Sequence, residues 1–267
     1  MHLTAVKECP NCSANLEAPF KYCPTCGQST HIHRFNLPHI FHEVFHALTH
    51  ADKGVIYLLK GLATRPGIVA REYILEGKRK KYFNPFTFLV LVLGLTLFFN
   101  SVFRPYTQTS RDLVERAKTG QYQSEQERQR IIGFAERRQN LQAFIEKRNN
   151  LILFLAIPII ALVYWLFFLR TGLNYAEHLV AQVFFSSFYS LFTTLVLTPI
   201  RPVFPGNNAF NYSQLGFQLL YLTFAYYQFL PATRPRSILK TALITLVGLL
   251  TWGIVSAGAS FLYIMYG

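Results

Sequence analysis

The sequence predicts an all-α polytopic membrane protein of about five transmembrane helices, preceded by a small cysteine-bearing domain and a stretch of amphipathic helix. Three observations carry that expectation. Of 267 residues, 51% are hydrophobic and 16% aromatic against 15% charged, whereas water-soluble domains hold about a quarter charged; mean hydropathy is +0.24. The charges are segregated: residues 1–82 carry a net +5, residues 104–150 a net +4, and everything else holds five bases against the single acid Glu177. Between and after these blocks run five long charge-free stretches. A net charge of +13 would read as a nucleic-acid footprint in a soluble chain, but in one this apolar it points to an anionic membrane leaflet. The aromatic content excludes a disordered chain, and four cysteines are too few for a disulfide scaffold.

The first element, residues 1–30, holds Cys9-Pro-Asn-Cys12 and Cys23-Pro-Thr-Cys26-Gly27, two CPxC knuckles ten residues apart. Two such pairs supply the four thiolates of a closed tetrahedral zinc site. Cys9, Cys12, Cys23 and Cys26 are therefore the expected metal ligands, with Zn2+ as a structural cofactor. Gly27 suits the tight turn after the last ligand, and Lys7 and Lys21 partly offset the site's negative charge. Four free thiols or redox pairs are the competing readings, but a redox CxxC normally occurs once, within a βαβ pattern that is absent here. Four sulfurs leave no open position for water, and in so short a segment metal binding supplies most of the folding energy.

Residues 31–82 read as amphipathic interfacial helices and a basic anchor. His39, His42, His46 and His50 fall within about 80° of one helix face, with Ile40, Phe41, Val44, Phe45 and Leu48 opposite. His42-Glu43-Val44-Phe45-His46 matches HExxH, in which two histidines bind zinc and the glutamate activates water. Five residues match easily by chance, and no third ligand stands at the usual downstream spacing, although His50 and Glu72 are candidates. The reading that carries most weight is the polar face of a helix lying on a membrane surface; a pH-sensitive face or an adventitious metal site is the next. The apolar run VIYLLKGLA is too short to span and reads as a second interfacial helix, halted at Arg65-Pro66 and restarted from Pro66. Lys78, Arg79, Lys80 and Lys81 then form a cationic run that anchors the chain and meets anionic headgroups.

The transmembrane domain, residues 83–267, is expected to have spans at about 84–103, 149–169, 178–200, 214–231 and 241–266, each near the 20 apolar residues that a bilayer of about 30 Å requires. Asn84 and Pro85 supply an N-cap and first helical position for span one, and Pro158 a kink in span two. Span four is the weakest, short and carrying Gln218 and Gln228, with a re-entrant segment as its alternative. Gly248, Gly253, Ser256, Ala257, Gly258 and Ser260 give span five a small-residue face for close helix packing. Glu177 and His178 open span three, followed by Gln182, Ser186, Ser187, Ser190, Thr193 and Thr194, and ionisable groups at such places often serve transport. The absence of further buried carboxylates and of repeated halves argues against an ordinary secondary transporter.

Residues 104–148 form a helical loop. Ser124 with Glu127 makes a capping box, and a helix from there runs toward span two with Ile131, Phe134, Arg138, Leu141 and Ile145 on one stripe. That stripe packs on its own protein or on lipid, or pairs two copies through residues 125–148. Basic flanks Lys78–Lys81, Arg170, and Arg234, Arg236 and Lys240 fall on one side if the N-terminus is cytoplasmic, which puts the C-terminus outside. No apolar core behind a basic start appears in the first 80 residues, so the N-terminal domain is expected to stay in the cytosol.

The succession CPNC, YCPTCGQ, FHEVFHALTHADKG and TRPGIVAREYILEGKRKKYFNPFTFL resembles a bacterial family of zinc-ribbon multispan membrane proteins classed only as a domain of unknown function. The resemblance covers residues 9–100, GKRKKYFNP being its most specific part, and Asn174-Tyr175-Ala176-Glu177-His178 continues it. Architecture alone is similar, more remotely, to the Yip family of membrane-trafficking proteins. Neither resemblance implies a catalytic residue, and the first implies that the histidine block belongs to a membrane-docking module.

The sequence thus supports a bacterial inner-membrane protein, not an enzyme, that docks, scaffolds or organises lipid. Its expected partners are anionic headgroups at Lys78, Arg79, Lys80 and Lys81, a cytosolic protein on the ribbon, and a second copy. Nucleic acid is not expected, because Phe20 and Tyr22 stand alone without a basic stripe. The alternatives are a transporter or channel, then a membrane zinc metallopeptidase using His42, Glu43 and His46.

Overall fold

Helix boundaries in the computed structural model follow the chain's proline, glycine and Asx punctuation. The structure describes residues 8–16, 21–30, 36, 54–103, 107–200, 208–231 and 237–266. Helix α1 (Val55–Thr64) is followed after Arg65 by α2 (Pro66–Ile74), which carries proline at its first position where no backbone donor is needed. A turn at Gly77, in the left-handed region at φ +70°, leads into a short 3-10 segment Arg79–Lys81. Helix α3 (Pro85–Phe103) opens as the sequence predicts: the Asn84 Oδ1 accepts from the amides of Phe86 at 2.9 Å and Thr87 at 3.3 Å.

Helix α4 (Thr107–Thr119) folds back against α5 (Glu125–Phe167), a 43-residue helix broken by one non-helical residue, Arg148, and holding Pro158. The Ser124 hydroxyl accepts from the Glu127 amide at 3.2 Å, while the Glu127 carboxylate takes the amide of Gln123 rather than that of the cap itself. Val114 and Ala117 are buried, and Lys118 pairs with Glu136 at 3.3 Å. Ile131, Phe134 and Arg138 of the stripe are exposed, and Leu141 and Ile145 are half-buried.

Helix α6 (Tyr175–Phe192) begins with a full capping box, Glu177 amide to Asn174 Oδ1 at 2.9 Å and Asn174 amide to Glu177 Oε2 at 2.8 Å. It continues through a π turn, Thr193–Leu197, into Thr198–Ile200. Helices α7 (Asn208–Phe229) and α8 (Ile238–Tyr266) complete the bundle. Among the described residues no strand forms; the N-terminal knuckles hold isolated bridges, Glu8 with Asn15 and Tyr22 with Ser29.

Four stretches are long and apolar enough to cross a membrane: Arg79–Phe103, Asn150–Phe167, Tyr175–Ile200 and Ile238–Met265. They coincide with the first, second, third and fifth expected spans. The fourth expected span is helical over 22 residues, but Asn208, Asn211, Gln214, Gln218 and Gln228 dilute its hydropathy. Its place in the core is nonetheless central. Leu222, Ala225, Tyr226 and Phe229 are all buried, and the Tyr164 and Tyr226 rings stack with centroids 3.4 Å apart.

The segment read as interfacial contributes to the same core. Leu58, Leu62, Val69, Ala70 and Tyr73 join it, with Tyr73 edge-on to Phe184 of α6. Ile56 and Tyr57 stay exposed on the outer face of α1. Two glycines permit the fit. A Cβ on Gly61 would stand 2.7 Å from Val69 Cγ2, and one on Gly67 only 2.1 Å from the Ala225 carbonyl oxygen.

Candidate metal centre and its seat on the helical bundle

Each CPxC knuckle is built by the same backbone device. The Cys9 amide bonds the Ala14 carbonyl at 2.8 Å and the Ser13 amide bonds the Cys9 carbonyl at 2.8 Å; in the second knuckle Cys23 and Gln28 pair at 2.7 Å, and Gly27 and Cys23 at 2.8 Å. The residue after the second cysteine takes a left-handed backbone in both, Ser13 at φ +59° and Gly27 at φ +71°. The chain therefore repeats one turn twice, with glycine at that position once.

The two turns face each other and bring the four sulfurs within 4.8 Å of one another. Cys9 Sγ lies 3.6 Å from Cys26 Sγ, and Cys12 Sγ lies 3.7 Å from Cys23 Sγ. A tetrahedral ion at the usual zinc–sulfur distance of about 2.3 Å would hold its sulfurs roughly 3.8 Å apart, so this donor set fits such an ion. Cys9 and Cys23 are buried, Cys26 is half-buried and Cys12 exposed.

The thiols compete for protons. Burial opposes ionisation of Cys23, but the amides of Cys26 and Thr25 and the thiols of Cys12 and Cys9 favour its thiolate and bring it down to about 6. At Cys12 the Ala14 amide favours the thiolate, yet burial and the three other sulfurs prevail and push it up to about 12. A cation at the centre would let all four thiols ionise together, which is the chemistry a metal supplies to four thiolates.

The knuckles rest on the bundle through one buried side chain. Gln28 is 4% exposed, and its Oε1 accepts the amide of Lys80 at 2.9 Å. Beneath that turn the cationic run meets Glu72. Lys81 Nζ lies 2.6 Å from Glu72 Oε2 and Lys78 Nζ 3.6 Å from Oε1, the Tyr82 hydroxyl donates to the same carboxylate, and Lys78 also bonds Glu76 at 2.7 Å. Burial would raise the Glu72 carboxyl, but the bonds from Lys81 and Tyr82 and the charges of Lys81 and Lys78 outweigh it and hold it below the ordinary carboxylate range. Of the four expected headgroup contacts, Lys78 and Lys81 are thus engaged with acids of their own chain, and Lys80 is exposed.

Two features were missed by the sequence reading. Gln28 carries no motif beyond its place after Gly27. Arg71 looks like one more surface base, yet it donates to the carbonyls of Gln228, Phe229 and Leu230 at the end of α7. The Gly67 amide adds a bond to Gln228 Oε1 at 3.2 Å. Glu177 is buried as a helix cap, and His178 is buried between Tyr226 and Phe229, each ring centroid 6.1 Å away. His39, His42, Glu43, His46 and His50, Phe20, Arg234 and Arg236 lie outside the described residues.

These features define a helical protein of membrane type with a four-cysteine centre that could hold a metal. Residues 52–99, which include α1, α2 and most of α3, match the model of a family described as Protein of unknown function (DUF3667). No curated protein and no solved structure matches the chain.

Proposed function

We propose that this chain is an integral protein of the bacterial inner membrane whose zinc ribbon, built on Cys9, Cys12, Cys23 and Cys26, is a structural docking platform. The Gln28–Lys80 bond carries the reading, because it ties the knuckles to the turn that opens the first span. A module so seated presents the rest of its surface, Tyr22 included, to a partner at a fixed height above the bilayer. Zn2+ would act there as a cross-link and not as a catalyst, since all four donors are sulfur and leave no open position.

The orientation with the N-terminus cytoplasmic is supported by the cations gathered at one end of the bundle. The end of α5 and the start of α8 meet there, with Lys240 Nζ 5.8 Å over the Phe168 ring. Arg71 stands at the end of α7, and Lys78 to Lys81 at the start of α3. Exposed Lys80 is the cation best placed to meet anionic headgroups. The ribbon's partner is a cytosolic protein, and a second copy through residues 125–148 is supported by the exposed Ile131 and Phe134.

The experiment is zinc per chain, measured on the purified protein beside Cys9→Ser/Cys12→Ser and His42→Ala/His46→Ala variants. One zinc, lost only in the cysteine variant, fits the platform. A second zinc that follows the histidines would replace it with the metallopeptidase reading and make Glu43→Gln the next variant. Particle mass in mild detergent, compared between wild type and the cysteine variant, reads the docking role: a complex that persists unchanged without the ribbon's metal overturns it.

A further inference from the structure

Along α6 and its π turn, every fourth residue from His178 is polar and buried: His178, Gln182, Ser186, Ser190 and Thr194. Each step of four advances about 40° around a helix, so the row winds as it climbs, over roughly 24 Å. At its first end it faces α7, where the Tyr226 hydroxyl donates to the His178 carbonyl at 3.5 Å. At its far end it faces α3, where the Thr194 and Thr96 hydroxyls lie 3.1 Å apart. The π turn Thr193–Leu197 sits at that crossing, and such turns recur at functional sites.

The first end of the row is poor in protein partners. Neither His178 Nδ1 nor Nε2 has one, nor do Gln182 Oε1 and, on α7, Thr223 Oγ1. Helices α6 and α7 run antiparallel, since His178 meets Tyr226 while Tyr189 bonds the Gln214 carbonyl. Thr223, three residues before Tyr226, therefore stands at the level of Gln182, four residues after His178. A buried polar group without a partner is costly, and a cluster of them inside a lipid-embedded bundle marks a place for water. Gln182 Nε2 already donates to the Ser186 hydroxyl at 2.8 Å, which carries the hydrogen-bonded line one turn further.

We propose that this row is a hydrated proton track through the bundle, with His178 as its relay at the ribbon end. A proton taken from hydronium on one imidazole nitrogen gives the cation and leaves water. Loss of the proton on the other nitrogen to the next water forms hydronium there and restores the neutral ring as its other tautomer, which a ring flip resets. Serine and threonine hydroxyls pass a proton onward because each both donates and accepts. A metal cation is not served by this lining, which lacks the carboxylates or carbonyl rings that replace a hydration shell. The titratable groups on the elements around His178 are occupied otherwise or uncharged: Glu177 closes the Asn174 cap, Arg71 holds the α7 carbonyls, and Tyr73, Tyr164 and Tyr226 are phenols. The track is independent of the docking role and stands or falls without it.

The full-length, metal-loaded protein in liposomes enclosing a pH-sensitive dye, with valinomycin and a potassium gradient as driving force, tests the track. The expected result is acidification well above protein-free vesicles, reduced roughly a hundredfold in His178→Phe and strongly in Gln182→Leu. If His178→Phe does not fold, Gln182→Leu and Thr223→Val carry the comparison. Wild-type vesicles no leakier to protons than empty ones overturn the proposal, as does undiminished flux in folded variants or an equal flux of sodium ions.

Discussion

The guanidinium of Arg71 lies 2.8 Å from the carbonyl oxygen of Leu230, 159 residues further along the chain, so a short helix near the N-terminus caps the end of α7. The same guanidinium reaches the carbonyls of Phe229 and Gln228. These are among the last acceptors of α7, which have no partner inside the helix and carry its negative dipole end. A cation with several fixed donors suits them better than a point charge does. Arg71→Ala is expected to destabilise the protein by about 1.5–3 kcal/mol, the range for hydrogen bonds to a charged group. Arg71→Lys recovers only part of that, since an ammonium cannot reproduce the fork. Thermal unfolding in detergent, followed by tryptophan fluorescence, measures both.

Gly67 makes the second contact of that junction. A methyl group there would meet the Ala225 oxygen at 2.1 Å, the Gln228 Cβ at 2.4 Å and the Phe229 amide nitrogen at 2.4 Å. Two of the three are backbone and cannot swing aside, so Gly67→Ala must push α2 off α7. The expected loss is about 3 kcal/mol or more, in the range of overpacked cores. Gly94 meets nothing within 4 Å in mid-helix, and Gly94→Ala should raise stability by about 0.5–1 kcal/mol. Opposite signs from the same substitution, read by the same unfolding assay, isolate the steric term.

What could be read from the sequence was local. The caps at Asn84 and Ser124 follow from residue type and spacing, and so do the knuckles and the long apolar runs. The 10-residue helix α1 and its neighbour α2 read as surface helices because their length and their Lys60, Arg71 and Glu72 hide what they pack against. Only the fold supplies α7 as a partner. Glu177 shows the converse: an acid at a span edge suggested transport, and its carboxylate is spent on a cap.

Glu72 gathers Lys81, Tyr82 and Lys78 at the turn under the knuckles. Its folded carboxyl titrates below the ordinary value of 4.5, so the group binds fewer protons folded than unfolded at mildly acid pH. The stability it contributes is complete above that ordinary value and is lost as pH falls through the depressed one. Glu72→Gln should therefore lower the melting temperature at pH 7, and the gap to wild type should narrow below pH 4.5 and close as the pH falls through the depressed value. A gap that widens on acidification would show that the carboxylate is not what holds this turn.

Ser13 adopts φ +59° where the second knuckle has Gly27. An L side chain in that region costs about 1 kcal/mol against glycine. Ser13→Gly should tighten metal retention, and Gly27→Ser should loosen it although a Cβ there meets no atom within 4 Å. Zinc release to a chromogenic chelator, timed in both variants, reads the difference as slower and faster loss.

Helix α7 is the element whose crossing of the bilayer decides the side of everything after it. Its 22 residues extend about 33 Å at 1.5 Å per residue, enough for a hydrocarbon core of about 30 Å. Its polar residues crowd the first half, and its outward side shows Leu215, Leu220 and Phe224, which suits lipid. Its inward side is locked to α2 by Arg71 and to α5 by the stacked Tyr226 and Tyr164. Full crossing is therefore expected, despite a composition less apolar than that of its four neighbours. Alkaline phosphatase fusions after Gly206 and after Arg234 should then report opposite sides, active at the first and inactive at the second. Equal activity at both sites would make α7 re-entrant and reverse the side assigned to the end of α8.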